Sequence, residues 1–226
     1  MSAANLRARV RAEMTEEIKK VARRHLATDG ADLSLRAVAR DLKMASSAVY
    51  RYFASRDELL TALIIDAYNE VGHSAEQAAA SAAAPIDRWL AACHAVRDWA
   101  LDNPHQWALI YGSPVPGYQA PKDTVMPATR VLLLLGGTLA DAYQKGLVPR
   151  REPLTGGFAD ELVPVAETFL PDLPPRVVAD TMAAFFQLCG AVSAELFGQL
   201  NNTVERDRRG FFEYQMRSAA TLAGLA

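Results

Sequence analysis

At 226 residues, half of them apolar and 22% charged, the chain is long enough to bury a substantial core and has the balance of an ordinary soluble globular protein. No apolar run approaches the ~20 residues needed to span a bilayer, and the Arg-rich start, Met1 to Arg11, has no apolar stretch of the secretory type. The net charge of −2 is unevenly shared: residues 1–60 hold 12 Lys/Arg against 8 Asp/Glu (+4), and the remainder 12 against 18 (−6), so the front is the part suited to a polyanion.

Apolar residues recur with the helical period almost throughout. Ile18, Val21, Ala22 and Leu26 form a first stripe, with Gly30 placed to end the helix. Ser34 is the predicted N-cap of a second helix through Leu35, Val38, Ala39 and Leu42. After a break at Lys43, Met44 and Ala45, a third helix is expected to run to about Phe53, with Ala45, Val49 and Phe53 facing inward. That phase turns Ser46, Ser47, Tyr50 and Arg51 outward together. They are hydroxyls, a polar-tipped aromatic and a guanidinium, the groups that reach base edges or phosphates in a major groove. Ser55 and Glu58 read as a capping box, opening a longer helix with Leu59, Leu60, Leu63, Ile64, Ala67 and Val71.

The alanine-rich stretch 74–84 either continues that helix or forms a weakly packed hinge. Pro85 then starts a helix through Trp89, Ala92, Val96 and Trp99. A short helix follows Asn103-Pro104, and the Gly/Pro-dense stretch 112–118 is a loop. A long helix is predicted over 124–146. Residues 149–175 read as irregular, with about one helical turn near Asp160–Phe169, before two last helices over 176–200 and 206–222. With no strand-period alternation and no internal repeat, the predicted fold class is all-α.

Within this layout Ser34 to Leu60 place two short helices about three residues apart, a helix-turn-helix. The run Val38-Ala39-Arg40-Asp41-Leu42-Lys43-Met44-Ala45-Ser46-Ser47-Ala48-Val49-Tyr50-Arg51-Tyr52-Phe53-Ala54-Ser55-Arg56-Asp57-Glu58-Leu59-Leu60 resembles the TetR family signature. That signature is a helix, a Gly-Val-Ser-like turn, an aromatic-rich recognition helix, then Phe-x-Ser/Asn-Lys/Arg-x-x-Leu. The resemblance covers about the first 65 residues. It implies a three-helix DNA-binding domain over 1–60 and a helical-bundle domain for ligand binding and dimerisation over 61–226. It further implies a cytoplasmic bacterial homodimer on a double-stranded operator, an inverted repeat, released by a small-molecule effector; the alternative is a ligand-independent dimeric DNA-binding protein. Residue by residue, the resemblance implies that Ser34 and Arg36 contact phosphate or groove edge. Ser46, Ser47, Tyr50 and Arg51 would face the groove, and Tyr52 and Arg56 would meet backbone phosphate. Lys43 stands where the family usually has glycine; a left-handed conformation there costs about 1–2 kcal/mol.

Beyond residue 70 the resemblance weakens. Asn103 to Tyr118 is similar to the Trp-His-Gly class of TetR sensing domains, which brings no particular ligand. Trp99, Trp107, Tyr111, Tyr143, Phe158 and Phe186 are candidates to line an apolar pocket between helices, beside the reading that they are ordinary core. The net −6 of this part leans slightly toward a cationic or neutral ligand. The two last helices are the expected dimer interface, through Phe185, Cys189, Val192 and Leu196 on the first and Phe212 and Met216 on the second. Cys93 and Cys189 read as buried thiols in a reducing compartment, and His94 and His105 have no partners at metal-ligand spacing. Nucleophile elbows, phosphate-cradling glycine loops and zinc motifs are not found, so catalysis, metals and cofactors are not expected.

Overall fold

The structure, a computed structural model, describes residues 3–29, 33–149, 151–171 and 173–225. Gly30, the predicted stop of the first helix, lies outside them. Among the described residues the chain is helical with no strand. The helices are α1 (Ala3–Asp29), α2 (Leu35–Asp41), α3 (Ser46–Val49), α4 (Arg56–Ala80), α5 (Pro85–Asp102), α6 (Pro104–Tyr111), α7 (Val125–Gln144), α8 (Gly157–Phe169), α9 (Pro175–Leu196) and α10 (Arg208–Ala223).

The chain forms two compact units. One runs to Ala67 and takes in Asn103–Val125; the other joins Tyr68–Asp102 to Met126 and the residues beyond it. This differs from a division after residue 60, because α6 and its Gly/Pro loop pack with the N-terminal helices. Leu109, Val115 and Tyr118 lie against their core, and the Tyr118 hydroxyl is 2.9 Å from Thr61 Oγ1. A segment this short cannot bury its own apolar side chains and docks on the nearest apolar surface.

In the N-terminal unit, Ile18, Val21, Ala22 and Leu26 of α1 share a core with Val38 and Ala39 of α2 and Leu59, Leu60 and Leu63 of α4. The polar edge of α1 is clasped as well: Lys19 Nζ and Arg23 Nη2 reach Asp66 of α4 at 2.8 and 2.7 Å. Burial opposes the charge on Lys19, but its hydrogen bonds to Asp66 and Glu16 outweigh this and hold its pKa above the usual lysine value.

In the C-terminal unit, α9 packs against α5, α8 and α10. A buried bidentate pair ties two of these together: Arg97 of α5 donates through Nε and Nη2 to the Glu195 carboxylate of α9 at 2.8 and 2.7 Å. The same guanidinium lies 5.6 Å from the Phe212 ring centroid of α10. Trp89 Nε1 donates to the Met216 carbonyl at 3.2 Å. Arg130 of α7 clamps α4, donating to Glu76 at 2.9 and 2.6 Å. Gly72 leaves room for it, since a Cβ there would lie 2.9 Å from Arg130 Cβ.

One open choice is decided and two expectations are corrected. Of the two readings of the alanine-rich stretch, the continued helix holds as far as Ala80. Residues 149–175 contain the 13-residue α8, not a single turn. Pro164 inside it argues against a helix by roughly 3 kcal/mol, but packing on α9 carries the helix through, and the Pro164 carbonyl accepts the Thr168 hydroxyl at 2.7 Å. Finally, two helical stretches, Lys122–Gln144 and Pro175–Leu196, are long and apolar enough to cross a membrane by length and composition. Among the charged groups they carry, Arg130 is paired with Glu76 and Glu195 with Arg97.

Candidate nucleic-acid interface

The site is built from a turn, a four-residue helix and the start of α4. Ser34 occupies the N-cap of α2 in an extended conformation, but its hydroxyl makes no capping bond. α2 buries Leu35, Val38 and Ala39 and ends in a Schellman motif. The Lys43 N–H donates to the Arg40 carbonyl at 3.0 Å and the Met44 N–H to the Ala39 carbonyl at 2.9 Å. Lys43 therefore sits in the left-handed region, with φ of 54°, at the position suited to glycine.

α3 is shorter than expected, ending at Val49, and the chain continues through single-turn bonds from Tyr52 and Phe53 to the Val49 carbonyl at 2.9 and 3.1 Å. Val49 and Phe53 are buried. Ala45 is not: it is exposed, because it precedes the helix as an extended N-cap and does not share the inward stripe. With Val49 and Phe53 anchored, Ser47, Tyr50 and Arg51 are exposed, Tyr50 at 44%, while Ser46 and Tyr52 are half-buried. Half of the capping box is formed: Ser55 Oγ accepts the Glu58 N–H at 3.1 Å, while the Glu58 carboxylate reaches past the cap to accept the Ala54 N–H at 2.5 Å.

These elements bring Ser34, Arg36, Tyr50 and Arg56 to the lining of one open groove, with Leu35 and Ser55 between them. Arg56 Nη1 is 3.4 Å from Asp57 Oδ1, long for a charge-assisted bond. Ser47 and Arg51 lie outside that groove on the exposed side of the recognition segment. Such an arrangement can set guanidiniums on phosphates while hydroxyls reach base edges.

The sequence reading missed Arg11. From α1 it donates to the Arg51 carbonyl at 3.1 Å, and its guanidinium lies 5.2 Å from the Tyr52 ring centroid. It braces the far end of the recognition segment. No spacing in the sequence links residues 40 apart in this way.

The other candidates scatter. The C-terminal unit holds a cavity of about 340 Å³, and of the six aromatics assigned to a pocket only Tyr143 lines it. Trp107 is fully buried and packs against the tilted ring of Tyr111 with centroids 4.4 Å apart; both belong to the N-terminal unit. Trp99 is half-buried, and Phe158 and Phe186 are exposed. Of the six dimer candidates, Val192, Phe212 and Met216 are buried in the chain's own core and offer nothing to a partner. Phe185, Cys189 and Leu196 are half-buried. The exposed apolar groups of α9 and α10 are Phe186 (62%), Tyr214 (67%) and Leu222 (67%), with Phe197 just past the end of α9. Burial pushes the Cys189 thiol up to about 12 and the Cys93 thiol higher still, far from a reactive thiolate. Among the described residues no group of three His, Cys, Asp or Glu is placed to hold a metal ion.

A helix-turn-helix with this exposed face matches a known family model. Residues 18–63 match the model of bacterial regulatory proteins of the tetR family, and residues 89–219 match the tetracyclin repressor-like C-terminal domain. The chain belongs to the TetR family. It is a DNA-binding transcriptional regulator, not an enzyme. Across most of its length this TetR-family chain is similar to the HTH-type transcriptional regulator Rv1816 of Mycobacterium tuberculosis, at 40% identity over 218 residues, 92% of this chain and 91% of that one. The crystal structure of the regulatory protein SCO4313 matches with a TM-score of 0.79 and 33% identity, covering 95% of this chain and 98% of that one. RolR, solved in complex with resorcinol, shares the fold with a TM-score of 0.54 at 16% identity, covering 97% of each chain.

Proposed function

We propose that this regulator is a cytoplasmic homodimeric repressor that holds an inverted-repeat operator and lets go when a small molecule occupies the C-terminal unit. The observation that carries the reading is the phase of the recognition segment. Val49 and Phe53 are locked in the core, and Ser47, Tyr50 and Arg51 face outward beside a groove lined by Arg36 and Arg56. In this reading Ser46, Ser47, Tyr50 and Arg51 enter the major groove, while Ser34, Arg36, Tyr52 and Arg56 position the backbone. Two copies would read half-sites one turn apart, about 34–36 Å. The exposed apolar groups of α9 and α10 supply the surface for the second copy. The cavity in the C-terminal unit, and the resorcinol bound by RolR within the same fold, support an effector site. A ligand there shifts the operator equilibrium only by its differential affinity for the two states.

Fluorescence anisotropy on an operator selected from random duplexes tests this. Arg56→Ala is expected to weaken binding to all sequences alike and to lower the salt slope by about one phosphate contact. A loss confined to particular sequences would instead make Arg56 a base-reading residue. If a metabolite panel neither raises the melting temperature nor releases DNA, the regulator is a ligand-independent dimer.

A further inference from the structure

We propose that the cavity of the C-terminal unit is a binding site for a small apolar mono-carboxylate, held by Arg151 and Arg176. Its regulatory consequence rests on the effector reading above; the binding itself does not.

The walls are apolar. Tyr143 of α7, Val148 and Leu154 of the following loop, Val163 of α8 and Val177 of α9 line a partly open cavity of about 340 Å³. Ligand sites span roughly 300–1,000 Å³, so the occupant is a single ring or a short chain. Four charged residues join the lining: Arg151, Arg176, Asp160 and Asp180.

How those charges are paired decides what the site accepts. Asp180 is shared between two guanidiniums: Arg176 Nε lies 3.3 Å from each of its oxygens, and Arg151 Nη1 lies 3.5 Å away. Charge-assisted bonds of this kind normally measure about 2.7–2.9 Å. Elsewhere in the same unit arginine is satisfied at that length, Arg97 on Glu195 at 2.8 and 2.7 Å and Arg130 on Glu76 at 2.9 and 2.6 Å. The two cavity arginines thus share Asp180 at long range, Arg151 being held also by α10 carbonyls, while the other carboxylate of the lining, Asp160, is exposed to solvent. A carboxylate on the ligand can take two parallel N–H donors from a guanidinium, which a neutral head group cannot match. A cation would meet both arginines, and the one lining carboxylate not already shared with them is the exposed Asp160. The overall charge of −6 in this part of the chain points the other way, but the local pairing is the stronger guide, because distant surface charges are screened within about 10 Å.

Arg151 has a second task. It donates to the Thr221 carbonyl at 3.3 Å and more closely to the Leu222 carbonyl, completing the C-terminus of α10 beside left-handed Gly224. A bound carboxylate competes with those carbonyls for the same guanidinium. Occupancy is therefore felt at the end of α10, the helix that exposes Tyr214 and Leu222.

The test uses the full-length protein, calorimetry and a panel of mono-carboxylates from benzoate to octanoate, each with its primary amide and amine. At least one acid is expected to bind tenfold or more tightly than its amide, with its amine weakest. Arg176→Gln should erase the preference for acid over amide; it carries the test because Arg176, unlike Arg151, makes no bond to α10 carbonyls among those seen. Equal binding of acid and amide, tighter binding of an amine, no binding by any member, or a preference that survives Arg176→Gln would overturn the proposal. Operator release is read separately by anisotropy. Arginine-dependent acid binding that leaves DNA bound upholds the site and defeats the effector reading. Release by a neutral compound, unchanged in Arg176→Gln, upholds the effector reading and defeats the site.

Discussion

Tyr50 reaches solvent because its neighbours cannot. Val49 and Phe53 are committed to the core, so rotation of the short segment is fixed and Tyr50 is left 44% exposed. Tyr50→Ala removes an outward contact without touching the core, so operator affinity should fall more than tenfold with the melting temperature unchanged. That is the size of one specific base contact, about 1–3 kcal/mol; unaltered affinity would mean the wrong face has been assigned. Lys43 is the opposite case, a residue whose backbone, not its side chain, is under demand. At φ of 54° it carries a cost of about 1–2 kcal/mol that glycine avoids, partly offset by the greater freedom glycine has in the unfolded chain. Lys43→Gly should hold the melting temperature or raise it by about 2 °C, and a clear fall would contradict the turn. The outward positions of Ser47, Tyr50 and Arg51 are legible because the spacing of Val49 and Phe53 determines phase, whereas Ser46, expected with them, is half-buried. Ala45 was misread because counting back four residues presumes that the helix has already begun, and Arg11 was invisible because its contacts are made only once α1 is folded against the recognition segment.

Helices with strong period and clear punctuation were predicted close to their observed limits: Pro85 opens α5, and Arg208–Ala223 nearly matches the predicted last helix. α8 was not, since Pro164 and the surrounding Gly/Pro density speak for a loop while tertiary packing decides for a helix. The buried polar link between α5 and α9 lies equally beyond periodicity. Glu195 reads as the polar exception on an apolar helix until Arg97 is seen opposite it, 2.7 and 2.8 Å away. Removing one member of such a pair strands a charge, at a cost of about 3–5 kcal/mol. Arg97 would keep its contact to Asp98 at 3.2 Å, which places Glu195→Ala near the lower end. Denaturant unfolding followed by circular dichroism should show a loss of about 3 kcal/mol. A change below about 1 kcal/mol, the value of an exposed pair, would mean that the link adds little.

At the scale of the whole molecule the open question is what covers the apolar residues the chain leaves outside. The sequence shows α9 apolar nearly all round, which demands burial on several sides, but not which residues serve the chain's own core. In the folded chain Val192, Phe212 and Met216 are used up internally, while Phe186, Tyr214 and Leu222 stay 62–67% exposed on two helices packed side by side. In the homodimer proposed above these residues supply the contact, and a two-fold contact makes each of them count twice. Phe186→Glu therefore places two carboxylates in the interface while leaving the monomer core untouched. Sedimentation should show a folded monomer with an unchanged helical spectrum. Operator affinity should fall about a hundredfold or more, because two linked reading heads gain roughly 10²–10⁴ over one. A variant that still sediments as a dimer would shift the contact elsewhere on the unit. A monomer with full operator affinity would show that a single recognition segment suffices, and the inverted-repeat reading would fall with it.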